Sequence, residues 1–356
     1  MIATPFLLKN TILLFIILII NNINFNTNLV AQNTQPIRIA FYNAENFFDL
    51  EYDSTREYNA FTPDGEQHWN LNRYLRKRNN LYKTLVALGA GKTPALVGFC
   101  EMENEKVFNE LIRNTPLRQE SFKVVHYESP DRRGIDVGLI YRSDIFRLLV
   151  SEPISVKDPQ DPGFLTRDIL FAGFELSSGD TLFVYINHWP SRYGGQLESV
   201  SKRFLAAKTL RRHYDSLLLT IPSARVVMMG DFNDTPVDES LIKGLRAYEV
   251  DSISAAGDLI QLFHPNEKLG HEGTLKHGHD WQIFDQMIVS PSLYHHDPTQ
   301  PRLHYCEGSA AIFAPSFLLT EDERYLGLKL FRTYTGPTYI GGFSDHLPVY
   351  IDLCLP

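Results

Sequence analysis

The stretch ARVVMMGDFND, residues 224–234, carries an apolar run straight into an acidic turn. Val226, Val227, Met228 and Met229 show no polar alternation, so the pattern predicts a strand covered on both faces. Gly230 is expected to let the backbone turn sharply where that strand ends. Side chains two apart on extended chain point the same way, which aims Asp231 and Asn233 at one place. An Asx turn closing a strand would use the same residues. This fragment alone leaves both readings open, and the surrounding chain has to decide.

Similar runs lie on either side of it: 37–43 (IRIAFYN), 95–101 (ALVGFCE), 135–142 (IDVGLIYR), 181–188 (TLFVYINH) and 283–290 (IFDQMIVS). Helical patterns separate some of them, at 71–88, 104–112 and 199–217. Nearly all-apolar strands alternating loosely with helices imply sheets packed on each other and covered by helices outside. The runs finish on residues a core would not choose: Asn43, Glu101, His188, and the Asp231/Asn233 pair. Asp285 sits within one of them, and Asp345 and His346 stand just ahead of the last strand. An ionised group in a core costs several kcal/mol unless it is paired or bound to a metal. Each residue could be a satisfied turn; their shared position argues for a common use.

The residue types narrow that use. Carboxylates with a carboxamide, no HExxH pattern and no thiolate cluster form an oxygen-rich set suited to Mg²⁺, with Mn²⁺ or Ca²⁺ as alternatives, rather than zinc. Two histidines beside carboxylates supply acid and base groups near neutral pH. A hard metal with His and Asp suits attack of water on a phosphoester. No GxSxG elbow suggests acyl transfer. GAGKT, 89–93, lacks the first glycine of a phosphate-binding loop, since Val86 occupies that place, and Pro94 opposes a following helix. The histidine-rich 271–280 matches no zinc spacing and reads as a polar loop beside the site.

Bulk properties bound the rest. A chain of 356 residues with 44% hydrophobic content can build a substantial core. TILLFIILII, 11–20, follows Lys9 and precedes the small Ala31, the layout of a signal peptide spanning 1–31. A short mature tail, 32–36, and one domain, 37–356, are expected to follow, and export to the periplasm or medium with them. A retained N-terminal anchor is the alternative. Loss of Lys9 would take the net charge from −8 to −9, and such acidity argues against a broad electrostatic footprint for nucleic acid. Cys100, Cys306 and Cys354 describe no zinc module, and any pairing among them is left open.

The ordered set NAEN, CEMEN, NHWPS, GDFND, FDQMIVS and SDHLPV resembles the endonuclease/exonuclease/phosphatase superfamily, from about residue 37 to 353. That resemblance implies a four-layered α/β sandwich, two mixed β-sheets face to face with helices outside. It implies that Glu101 is the principal metal ligand, with Asn43 beside it and Asp345 completing the shell. Asp231 would orient and help deprotonate the attacking water, and Asn233 would steady it or a phosphate oxygen. His346, paired with Asp285, would contact the scissile phosphate, while His188 would assist the leaving group. Asp136 departs from many relatives; it could salt-bridge Arg132 or Arg133, or support His188. The reading that follows is a secreted, monomeric, metal-dependent phosphodiesterase, an endonuclease on DNA or RNA whose Arg132, Arg133, Arg142 and Arg192 could follow a phosphate backbone. A lipid or small-molecule phosphodiesterase or phosphatase is the alternative, for which no exposed apolar hairpin stands out.

Overall fold

Burial on both faces turns the apolar runs into strands in the computed structural model, which describes residues 35–54, 58–255, 257–265 and 267–355. The signal-peptide expectation, 1–31, lies outside the described residues. Within Pro36–Pro356, β1 (Ile37–Phe47), β2 (Leu96–Met102), β3 (Phe122–His126) and β4 (Asp136–Arg142) start the first sheet. The second takes β5 (Phe146–Ile154), β6 (Ile169–Leu176), β7 (Thr181–His188), β8 (Val226–Asp231), β9 (Ala247–Tyr248) and β10 (Leu259–Gln261). A hairpin of β11 (Leu275–His277) and β12 (Asp280–Gln282) leads to β13 (Asp285–Val289), which rejoins the second sheet. After β14 (His304–Tyr305), β15 (Ala311–Ile312) and two small hairpins, β16 (Leu319–Glu321) with β17 (Leu328–Leu330) and β18 (Tyr334–Thr335) with β19 (Thr338–Tyr339), β20 (Val349–Cys354) returns to the first sheet.

Both large sheets are mixed. Their orders are β14-β20-β1-β2-β4-β3 and β5-β6-β7-β8-β13-β10-β9, with β15 on β20. β1 pairs with β2, and β7 with β8, in parallel; β20 and β13 run antiparallel to β1 and β8. Three helices of note are α1 (Leu71–Leu88), α2 (Glu105–Arg113) and α3 (Gln196–Thr220). Asn70 and Asn104 cap the first two by accepting from amides of the opening turn.

Three apolar layers follow from strand alternation. Ile39 and Phe41 face Val227, Met229, Ile186 and Val349 in the core between the sheets. Ala40 and Tyr42, on the other face of β1, meet Leu81 and Leu85 of α1 and Val107 and Phe108 of α2. Val226 and Met228 of β8 meet Ala207, Leu210 and Tyr214 of α3. Three cores between four layers are the expected four-layered α/β sandwich. β3, β5 and β6 extend beyond the strands foreseen. β5 and β3 are edge strands, and β5 carries Arg147, Glu152 and Pro153 and a register shift between Leu148 and Val150 that an interior strand would not tolerate. At the far end of β20, Cys354 forms a disulfide with Cys306, while Cys100 is free and buried.

Candidate active site

Strand register brings the polar ends together. In the parallel pair β7/β8, His188 stands opposite Asp231; in the antiparallel pair β8/β13, Asp231 stands opposite Asp285. In the first sheet Asn43 stands opposite Cys100, the residue before Glu101, and β20 begins opposite Phe41, so the preceding Asp345 and His346 pass the end of β1. The Asn43 side-chain amide donates to Asp231 Oδ2 at 3.1 Å, joining the two sheets at the site.

Backbone conformation does part of the aiming. Glu45, Asn46, Glu101 and Asn233 have φ of 51°, 54°, 58° and 51°, the left-handed region that side chains other than glycine rarely adopt. At Glu101 the turned backbone presents Oε2 to the Asn46 amide, which donates at 3.0 Å. At Asn233 the amide donates to Asp231 Oδ1 at 2.9 Å, an Asx turn, and the side chain donates to the Trp189 carbonyl at 3.0 Å. The Asx turn is therefore present, and Asn233 lies off the extended chain that a shared aim with Asp231 assumed. The reason for Gly230 differs from the expected one: it is no sharp turn, but a Cβ there would lie 2.3 Å from the Asn187 carbonyl oxygen of β7. Glycine allows the two strands to approach, and the turn falls at Asn233.

His346 Nδ1 lies 2.7 Å from Asp285 Oδ2, and its Nε2 lies 3.7 Å from Asp231 Oδ2. Thr274, in the histidine-rich stretch, accepts from the Phe284 and Asp285 amides at 3.2 and 3.1 Å and so fixes the start of β13. His188 Nε2 is 3.8 Å from Asp231 Oδ2 and 3.9 Å from Glu101 Oε1. Its Nδ1 is buried without a hydrogen-bond partner, as is Asp285 Oδ1.

These surroundings split the two histidines. Burial, helped by the charges of Arg167, Arg133 and His346, holds His188 well below the usual imidazole range. Burial would lower His346 too, but the carboxylates of Asp285 and Asp231 outweigh it and hold this imidazole well above that range. Burial pushes Asp231 up to about 7, with His346 opposing and Asp285 and Glu101 reinforcing the rise. Cys100, near His188 and Asp231, is pushed well up by burial and stays a thiol, so it offers no soft ligand.

The donor set fits a hard cation. Asp231 and Asp285 are buried around His346, and Asp285 retains an oxygen without a donor; Glu101, partly exposed, stands on the other side of His188. Glu101 has one oxygen on an amide, and among the described residues its only ion-pair contact within 4.0 Å is His188 at 3.9 Å. Oxygen ligands with uncompensated charge suit Mg²⁺ or Mn²⁺.

Two expected supports lie elsewhere. Asp136 does not reach His188 or either arginine: its Oδ1 accepts from the Ser129 amide and hydroxyl, and its Oδ2 lies 3.1 Å from His126 Nε2. Arg142 is at the opposite end of β4 from Asp136, roughly 20 Å along the strand, and pairs with Asp144. Arg192 donates to the Asn233 carbonyl at 2.9 Å and pairs with Asp234 and Asp238, which makes it a brace for the GDFND turn. Arg133 lies 3.8 Å from Asp131 and contributes to the field at His188; Arg132 reaches the Gly163 carbonyl at 3.5 Å.

Sequence reasoning missed other members. Arg167 donates to the His188 and Trp189 carbonyls at 3.2 and 2.6 Å and fixes the end of β7. Glu45, buried, accepts from the Thr333 amide at 2.7 Å and from Arg332 Nε at 3.3 Å, and Arg332 Nη2 donates to Asp345 Oδ2 at 2.8 Å. Glu45 stood inside NAEN, where an acid two residues after Asn43 was the available signal.

The fold has relatives among solved structures. A mannosyl-6-phosphatase from Bacteroides thetaiotaomicron is similar over 90% of this chain and 100% of its own, at 16% identity and a TM-score of 0.56. The human Nocturnin catalytic domain with bound sulfate matches 90% of this chain and 95% of its own, at 15% identity and 0.54. TDP2 from D. rerio, complexed with a single-strand DNA product, matches 90% and 100%, at 17% identity and 0.51. No curated protein matches the chain. The profile of the Endonuclease/Exonuclease/phosphatase family runs from residue 38 to 354, through both sheets and every strand end that meets at the site, and this protein belongs to that family of metal-dependent phosphoesterases.

Proposed function

We propose that the protein is an exported phosphodiester hydrolase that requires a divalent metal, Mg²⁺ or Mn²⁺, and acts on DNA or RNA. The observation that carries this reading is the joining of Glu101, Asn43, Asp231, His188, Asp285 and His346 at one end of both sheets. Glu101, Asn43 and Asp345 would hold the metal, which supplies charge neutralisation on phosphate oxygens and the leaving group. Asp231, with its carboxyl near 7, accepts the proton of the water whose oxygen bonds to phosphorus. Asn233, braced by its bond to Trp189, steadies that water or a phosphate oxygen. His346, charged and oriented by Asp285, opposes the negative charge that grows on the phosphoryl group as the ester oxygen departs. His188 is uncharged in these surroundings, which suits it to donate a hydrogen bond to the leaving oxygen more than to deliver a full proton.

Export is supported by the Cys306–Cys354 disulfide, since such bonds persist in oxidising compartments. N-terminal sequencing of protein from medium or periplasm is expected to begin near Gln32; an intact Met1–Ala31 segment on membrane-bound protein would favour the anchor.

A small phosphoester is the second reading. It is favoured by the engagement of the cations expected to follow a nucleic-acid backbone: Arg142 and Arg192 are both ion-paired within the chain. Plasmid DNA, RNA, a hexose 6-phosphate, sphingomyelin and bis-p-nitrophenyl phosphate, each with Mg²⁺ and with EDTA, separate the readings. Hydrolysis of none of them, with the metal present, would overturn both.

A further inference from the structure

Among the described residues, Arg332 is the arginine or lysine whose side chain lies within 4.0 Å of a proposed metal ligand, Asp345. Its Nε donates to Glu45 Oε1 at 3.3 Å and its Nη2 to Asp345 Oδ2 at 2.8 Å. Its mount is built from buried parts. Glu45 is 4% exposed and also accepts from the Thr333 amide at 2.7 Å. Lys77, fully buried, lies 3.5 Å from the same Glu45 oxygen and donates to the Thr333 hydroxyl at 2.7 Å and the Phe343 carbonyl at 2.6 Å. Through Thr333 and Phe343 this single ammonium clamps the segments that carry Arg332 and Asp345. A buried Lys–Glu pair is a costly way to tie two loops, because each charge gives up its hydration. Arg332 is the exception within this network, with its side chain 44% exposed. A surface ion pair contributes little stability and would not need so elaborate an anchor.

We propose that Arg332 is a substrate-binding residue, a guanidinium held beside the metal ligands to take phosphate oxygens. The inference rests on the phosphoester reading above and adds to it a specific anion subsite. Guanidinium presents five donors in a planar fork. The contacts to Glu45 and Asp345 use Nε and Nη2; among the described residues Nη1 has no partner, and the side chain is 44% exposed. With Asp345 turned to a cation, the same fork gains a donor. Arg332 and the metal would then face one phosphate from two sides, a charge-assisted arrangement of the strong kind. The bound phosphate is either the one being cleaved or its neighbour on a polynucleotide.

Inorganic phosphate is the probe. Calorimetric titration of the full chain with Mg²⁺ at saturation should give a phosphate Kd that rises about tenfold or more in Arg332→Ala, the loss expected for a charge-assisted bond. The Mg²⁺ midpoint, measured separately, should move little, and Arg332→Lys should recover part of the affinity. In the unaltered protein phosphate should protect Arg332 from phenylglyoxal, read by peptide mass spectrometry, which tests the idea even where Arg332→Ala fails to fold. A KM increase on bis-p-nitrophenyl phosphate assigns Arg332 to the cleaved phosphate; an increase on an oligonucleotide alone assigns it to a neighbour. An unchanged phosphate Kd, absent protection, or a variant whose sole defect is a shifted Mg²⁺ midpoint would overturn the proposal and leave Arg332 as a prop for Asp345. Failure of the function itself looks different: the unaltered protein would hydrolyse no phosphoester, while the phosphate isotherms would still decide on Arg332.

Discussion

The two sheets arrive at one site with different equipment. The first brings Asn43, Glu45 and Glu101 and, in the turn before β20, Asp345: acceptors fixed by backbone amides and by Arg332. The second brings His188, Asp231 and Asp285, groups buried deeply enough that protonation at His188 and Asp231 departs from the ordinary. His346 belongs to the first sheet by chain position and to the second by its 2.7 Å contact with Asp285. The contrast teaches that holding a cation and handling a proton ask for opposite conditions. Ligand oxygens must stay ionised and reachable, whereas a group that exchanges a proton near neutrality has to be moved by burial.

The comparison breaks most visibly on the first sheet. Glu101→Ala, or chelation by EDTA, should reduce hydrolysis of bis-p-nitrophenyl phosphate to background; Mg²⁺ or Mn²⁺ should restore the chelated protein, and excess metal should rescue the variant in part. Full activity in EDTA would end the assignment. On the second sheet Asp231→Asn should lower kcat by roughly 10²- to 10⁴-fold with the Mg²⁺ midpoint altered far less than in Glu101→Ala.

The histidines sharpen the contrast within a smaller range. His346→Ala should slow substrates with good and poor leaving groups alike. If His188 serves the leaving oxygen, His188→Ala should harm DNA, whose leaving alkoxide is poor, more than a p-nitrophenyl diester. Equal losses would return His188 to phosphate binding or plain structure. Circular dichroism should first establish that each variant folds.

The smallest effect is thermodynamic. The folded pKa of Asp231, about 7, lies above the unfolded value, near 3.9. Between those two pH values the folded metal-free protein keeps a proton that the unfolded chain has released, so this group's contribution to stability falls as pH rises through that window. Asp231→Asn should therefore raise the Tm of the metal-free protein at pH 8, and the gain should shrink towards pH 4. A gain independent of pH would show that the carboxylate's charge is not its source.

How much of this was legible depended on distance along the chain. The alternation-free runs revealed the interior strands because each faces a core on both sides, as β8 does between Met229 and Met228. The polar ends were visible for the same reason: a charged residue interrupting such a run is conspicuous. Edge strand β5, with half its residues outward and a proline in it, carries no such signature. Arg332 was invisible because its partner Glu45 is 287 residues away, and nothing local marks an arginine whose mate lies near the end of β1. Asp136 misled in the opposite direction: two arginines lay close in sequence, yet the chain's path gave the carboxylate to Ser129 and His126.

The left-handed backbone at Glu101 and Asn233 sets the protein's evolutionary terms. A strained φ costs on the order of 1–3 kcal/mol per residue, and glycine would relieve it. Random substitution thus offers Glu101→Gly as a release of that strain, at the cost of the carboxylate proposed to hold the metal and of its bond to the Asn46 amide. Asp231 carries the same conflict through its unfavourable charge. In a lineage relieved of selection for hydrolysis, these positions should be among the first to drift, leaving a sturdier sandwich of unchanged architecture.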